Sequence, residues 1–105
     1  MKKSNCKSIE DVRKEIDRID NDMIKLIAQR SIYVEQAASL KNTLQDVKDP
    51  ERVNKVMENI KALAKQHNLE SGIAEKIYRT MINAFMEQEA SKVNPLYNQI
   101  KQSYY

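Results

Sequence analysis

Arg30, Lys41 and Gln88 are polar or charged residues on faces that helical spacing from Leu26, Leu40 and Met81 assigns to an interior. Cations placed there suit an anionic ligand. Arg30 and Lys41 are separated by about three helical turns with about 20° of drift, so they lie on one side, roughly 16 Å apart. A small ligand fits between their long side chains. Arg52 follows Asp49-Pro50-Glu51 in the first turn of another helix, where a cation opposes the helix dipole but suits a helix start that binds an anion. Arg13 stands about 25 Å before Arg30 and roughly 50 to 100° around the helix, too far to share a site with Arg30 of its own chain. In an antiparallel dimer it reaches the partner's site. Each residue also has a plainer role. A seam arginine can snorkel to water, and a lysine near a helix C-terminus complements the dipole. Arg52 can pair with a nearby acid, and Gln88 can face solvent.

The elements that must position these residues are helices. Ile9, Val12, Ile16, Ile19, Met23, Leu26, then Tyr33, Ala37, Leu40 and Leu44 recur at alternating steps of three and four without an intervening Gly or Pro. This predicts one long helix from Ile9 to Leu44, its apolar seam interrupted at Arg30. Asp49 suits an N-cap, Pro50 the first helical position and Glu51 the positive end of the dipole of a second helix. That helix carries Val53, Val56, Ile60 and Leu63 and stops near His67-Asn68. Ser71 is the predicted cap of a third, holding Ile73, Ile77, Met81, Ala84 and Phe85 and running to about Lys92. Residues 1–8 read as a flexible leader and 9–92 as one helical domain. Pro95 disfavours helix at Asn94, so residues 93–105 form a tail or short extra helix.

A first helix of roughly 50 Å exceeds the roughly 25 and 31 Å of the other two, which therefore cannot cover its seam alone. The predicted architecture is all-α, three helices per chain in an intertwined homodimer, two long helices packed together and the shorter ones folded over both.

Composition agrees with helix: one Gly, two Pro and no Trp, with 31% of residues charged. With 105 residues, one core and one domain are all the chain supports. The balance of 18 basic and 15 acidic side chains permits an anionic partner without demanding one. Nucleic acid is not expected, because lysines alternate with acids rather than forming a stripe. No membrane span or signal peptide is apparent, and Cys6 has no second Cys to pair with, so a reducing, cytoplasmic location is expected. His67 reads as a helix-end residue. No metal site or cofactor is expected.

Val12-Arg13-Lys14-Glu15-Ile16-Asp17-Arg18-Ile19-Asp20, Leu26-Ile27-Ala28-Gln29-Arg30, Lys41, Asp49-Pro50-Glu51-Arg52 and Glu87-Gln88, in that order, resemble the all-helical chorismate mutases and the related isochorismate-pyruvate lyases. The resemblance covers residues 9 to 90. It implies that Arg30 and the partner subunit's Arg13 each hold a carboxylate of the substrate chorismate, while Lys41 and Gln88 bond the ether oxygen on which negative charge grows. It further implies that Arg52 supplies positive field and that Asp49 accepts from the ring hydroxyl. The implied Claisen rearrangement to prephenate, in Phe and Tyr biosynthesis, needs no nucleophile, general base, metal or cofactor. Ala84 departs from members that carry a hydroxyl there. Glu87-Gln88 is also lyase-like, whereas Asp49 is mutase-like, and the resemblance favours the mutase. A non-catalytic helical regulatory dimer is the third reading.

Overall fold

Ser8 starts the first helix: its Oγ accepts the amide N–H of Asp11 at 3.1 Å and its carbonyl accepts that of Val12 at 3.2 Å. The Asp11 amide, one of those a helix start leaves free, is thereby satisfied, and Glu10 and Asp11 in the first turn complement the positive end of the dipole. The computed structural model describes residues 6–40 and 49–93, with side chains described as far as residue 91. Among the described residues all regular structure is helical: α1 (Ile9–Ser39), α2 (Pro50–Gln66) and α3 (Ser71–Val93). The chain divides into two compact units between Tyr33 and Val34, inside α1.

The first unit is the N-terminal part of α1. The helix has 31 residues and buries none of them. The seam read from the sequence is an exposed stripe: Ile9, Val12, Ile16, Ile19, Met23, Leu26 and Tyr33 all face outward, Leu26 at 62% and Tyr33 at 69% exposure. Each such side chain would contribute about 1.5–3 kcal/mol if fully covered. α1 ends at Ser39, short of the predicted Leu44, with Leu40 turning back through its amide to the Ala37 carbonyl at 3.1 Å. Lys41 and Leu44 lie outside the described residues.

The second unit is built on the α2–α3 hairpin. Asp49 caps α2, its Oδ1 accepting the Arg52 amide at 3.2 Å, with Pro50 at the first helical position. α2 buries Met57, Ile60 and Ala64. It ends in a Schellman turn: the Leu69 amide donates to the Ala64 carbonyl at 2.8 Å and the Asn68 amide to the Lys65 carbonyl at 3.3 Å. Asn68 takes the left-handed conformation this turn requires, at φ 57°. Asparagine tolerates it better than most residues with a Cβ. The chain then reverses through Leu69 and Glu70. The Glu70 carbonyl accepts the Ala74 amide at 3.3 Å, so Ser71, predicted as the cap, is instead the first helical residue of α3.

Ile60, Ala64 and Ala74 form the core of the hairpin, with Val56 and Tyr78 packed against them. Lys61 Nζ and Glu75 Oε1 pair at 3.5 Å across the two helices. The predicted inner face of α3 is corrected here. Ala74, Ile82 and Ala90 are buried, Met81 and Phe85 are half-buried, and Ile73 and Ile77 are exposed at 47% and 49%. The reason is that α3 carries apolar residues on two adjoining faces, and α2 packs against one of them.

Two stability outcomes follow from these contacts. In urea unfolding at fixed protein concentration, Asn68→Gly is expected to hold or raise the midpoint, whereas Asn68→Val should lower stability by about 1–3 kcal/mol by forcing a β-branched residue to positive φ. Ile60→Val should cost about 0.5–1.5 kcal/mol, as removal of one buried methylene does.

Candidate active site

In the first unit, Arg13 and Arg30 sit on the same helix about 25 Å apart, so α1 does not bring them together. Arg13 is exposed. Arg30 is half-buried, interrupting the exposed stripe between Leu26 and Tyr33 as its spacing required. Elsewhere on this helix Arg18 pairs with Glu15 at 3.0 Å and Asp22 at 3.7 Å, with Arg18 and Asp22 exposed and Glu15 partly covered. Such pairs are worth little in water.

In the second unit the hairpin gathers three of the expected residues at one end. Helices joined by so short a turn, packed together and tied by the Lys61–Glu75 pair, run antiparallel. Counted outward from that pair, Asp49 lies about 18 Å along α2 and Gln88 about 20 Å along α3, which puts them level at the end remote from the turn. Arg52 is one helical turn inward from Asp49.

Rotation about each helix axis decides which side they share. At about 100° per residue, Arg52 is turned about 100° from the packed stripe of α2, and Gln88 about 90° from that of α3, in the same rotational sense. Equal senses on antiparallel helices point to the same side. Gln88, which spacing from Met81 assigned to an interior, is exposed there because it is turned off the face packed on α2, and Arg52 is exposed beside the same face, one supplying an amide and the other a guanidinium. Leu63, Ile77 and Ala84 are exposed on this same side, so the polar pair stands at the edge of an apolar face. An anion with an apolar body is the ligand such an edge suits.

Spacing along the single helices did not reveal this face, because Ile77 and Ala84 were assigned to the core. No local signal marks it, because it follows from the contact of Ala64 with Ala74: where two small residues meet, helices approach closely, and the larger side chains beside them are turned outward. Ala84 lies exposed one turn before Gln88, at the position noted for its missing hydroxyl. Lys41 lies outside the described residues. Among the described residues no group of three or more His, Cys, Asp or Glu side chains is arranged to hold a metal ion. None of the helices described is long and apolar enough to cross a membrane.

Residues 12–90 match the protein family described as chorismate mutase type II. A chorismate mutase of Methanocaldococcus jannaschii is 40% identical over 73 residues, which are 69% of this chain and 74% of that protein. An isochorismate pyruvate lyase of Pseudomonas aeruginosa is 26% identical over 84 residues, covering 80% of this chain and 83% of that one. The family match begins one residue before Arg13 and ends two after Gln88, so it encloses every residue singled out above, and the chain belongs to the type II chorismate mutase family.

Proposed function

We propose that the protein is a chorismate mutase that converts chorismate to prephenate for aromatic amino-acid biosynthesis, working as a cytoplasmic homodimer. The observation that carries this reading is the 40% identity to a chorismate mutase over more than two thirds of the chain. The exposed end of the hairpin supports it, because Arg52 and Gln88 offer a cation and an amide donor on one side. In this reaction one ether C–O bond breaks as a C–C bond forms within the same molecule, and no proton is transferred. The work left to the protein is to select the reactive conformer and stabilise charge on the ether oxygen. Lys41 and Gln88 donate to that oxygen, Arg52 adds positive field, Arg30 and the partner subunit's Arg13 hold the two carboxylates, and Asp49 caps the helix turn that carries Arg52.

The homodimer part of the proposal rests on the bare seam of α1. A stripe of this length is stably covered by the same stripe of a second copy, related by a two-fold axis that carries Arg13 of one protomer toward Arg30 of the other. A cytoplasmic location fits the single cysteine.

The lyase reading has one observation in its favour, the 26% identity to an isochorismate pyruvate lyase over most of both chains. Supplying chorismate and isochorismate in parallel separates the two: prephenate from chorismate is the expected product, and faster release of pyruvate and salicylate from isochorismate would reverse the order. Lys41→Ala and Gln88→Ala should each lower kcat by about 10²–10³-fold, the usual effect of removing one donor to a developing oxyanion. Mixing inactive Arg13→Ala and Arg30→Ala dimers and allowing exchange should restore about a quarter of parent activity, since half the dimers then hold one intact site. If both arginines served their own chain's site, mixing would restore nothing.

A further inference from the structure

We infer that Asp49 is a positioning residue for Arg52, so that its effect on the reaction proposed above passes through the first turn of α2. Its backbone stands at φ 28°, ψ 73°, in the left-handed region, although an N-cap residue is ordinarily extended and a residue preceding proline is steered toward extended conformations as well. What that backbone accompanies is a double hold on the helix start. Asp49 Oδ1 accepts the Arg52 amide at 3.2 Å, and the Asp49 carbonyl accepts the Val53 amide at 3.2 Å. Pro50 fixes φ between them and donates no amide of its own.

The consequence falls on Arg52 in particular. Its backbone nitrogen is the atom the carboxylate holds, so the direction in which its Cα–Cβ bond leaves the helix is set by Asp49. One carboxylate oxygen is therefore committed within the chain before any ligand arrives. Gln88, level with Asp49 along the hairpin, is anchored on α3 and receives no such hold. A frayed first turn would thus displace the guanidinium relative to the amide across from it. An error of about 1 Å in a positioned group is enough to lower a rate by about a hundredfold.

Asp49→Gly tests this, because glycine suits the positive φ while removing the side chain that bears the carboxylate, and Asp49→Asn controls for the loss of that side chain. Chorismate turnover is measured for Asp49→Gly and Asp49→Asn, each in the parent and in an Arg52→Ala background. Asp49→Gly should lower kcat/KM by about tenfold when Arg52 is present and by less than about twofold when it is absent, the non-additivity of two residues acting as one unit. Asp49→Asn, which keeps the acceptor oxygen, should recover most of the loss. Equal losses in both backgrounds would overturn the inference and assign Asp49 a direct contact with substrate. Hydrogen exchange at the Arg52 amide gives a second readout that does not depend on the reaction. Protection is expected to fall in Asp49→Gly and to persist in Asp49→Asn. Unchanged protection in Asp49→Gly overturns the positioning role even if the parent proves to be a lyase or a binding protein, whereas absence of turnover by the parent overturns only the enzymatic reading.

Discussion

The constraint on which everything else depends is a shortage of apolar cover. Ile9, Val12, Ile16, Ile19, Met23, Leu26 and Tyr33 line one side of a 31-residue helix that buries nothing. The hairpin of α2 and α3 has a core of its own, but three of its buried apolar residues are alanines, and Leu63, Ile73 and Ile77 remain exposed beside it. A core of that size is small for a chain of this length. Both units therefore carry more apolar surface than the described cores cover.

That same surplus gives the charged residues their meaning. Arg30 interrupts a stripe that would pack better if continuous, and its half-buried position marks a place where a cation is tolerated beside apolar neighbours. Arg52 stands at a helix end that disfavours cations, held there by a cap whose backbone is itself in a sparsely populated conformation. Each of these is a local concession against stability. Local rules fail together most often where a ligand, rather than the fold, uses the residues.

The hairpin shows how ordinary folding devices bring distant residues level. The Schellman turn at Asn68 and the pairing of Ala64 with Ala74 fix direction and closeness of the two helices, and the Lys61–Glu75 pair spans them. With register and facing set, residues far apart in the chain, Asp49 and Arg52 near its middle and Gln88 toward its end, come level on one end of the hairpin. None of these devices is itself polar machinery for a reaction.

Local chemistry in the sequence was enough to specify three helices, the α1 seam and its interruption, and the Asp49-Pro50 start of α2, because steps of three and four and capping residues act within a turn or two of chain. The ordered cations and glutamine also carried the family resemblance before any contact was known. Tertiary structure alone decided which face of α3 is buried. Two apolar faces adjoin on that helix, and the choice of Ala74 over Ile73 and Ile77 depends on α2 presenting Ala64, a contact between residues that no local period relates. It also decided that Asp49 adopts positive φ, since sequence names a good cap but not the direction from which the chain enters it.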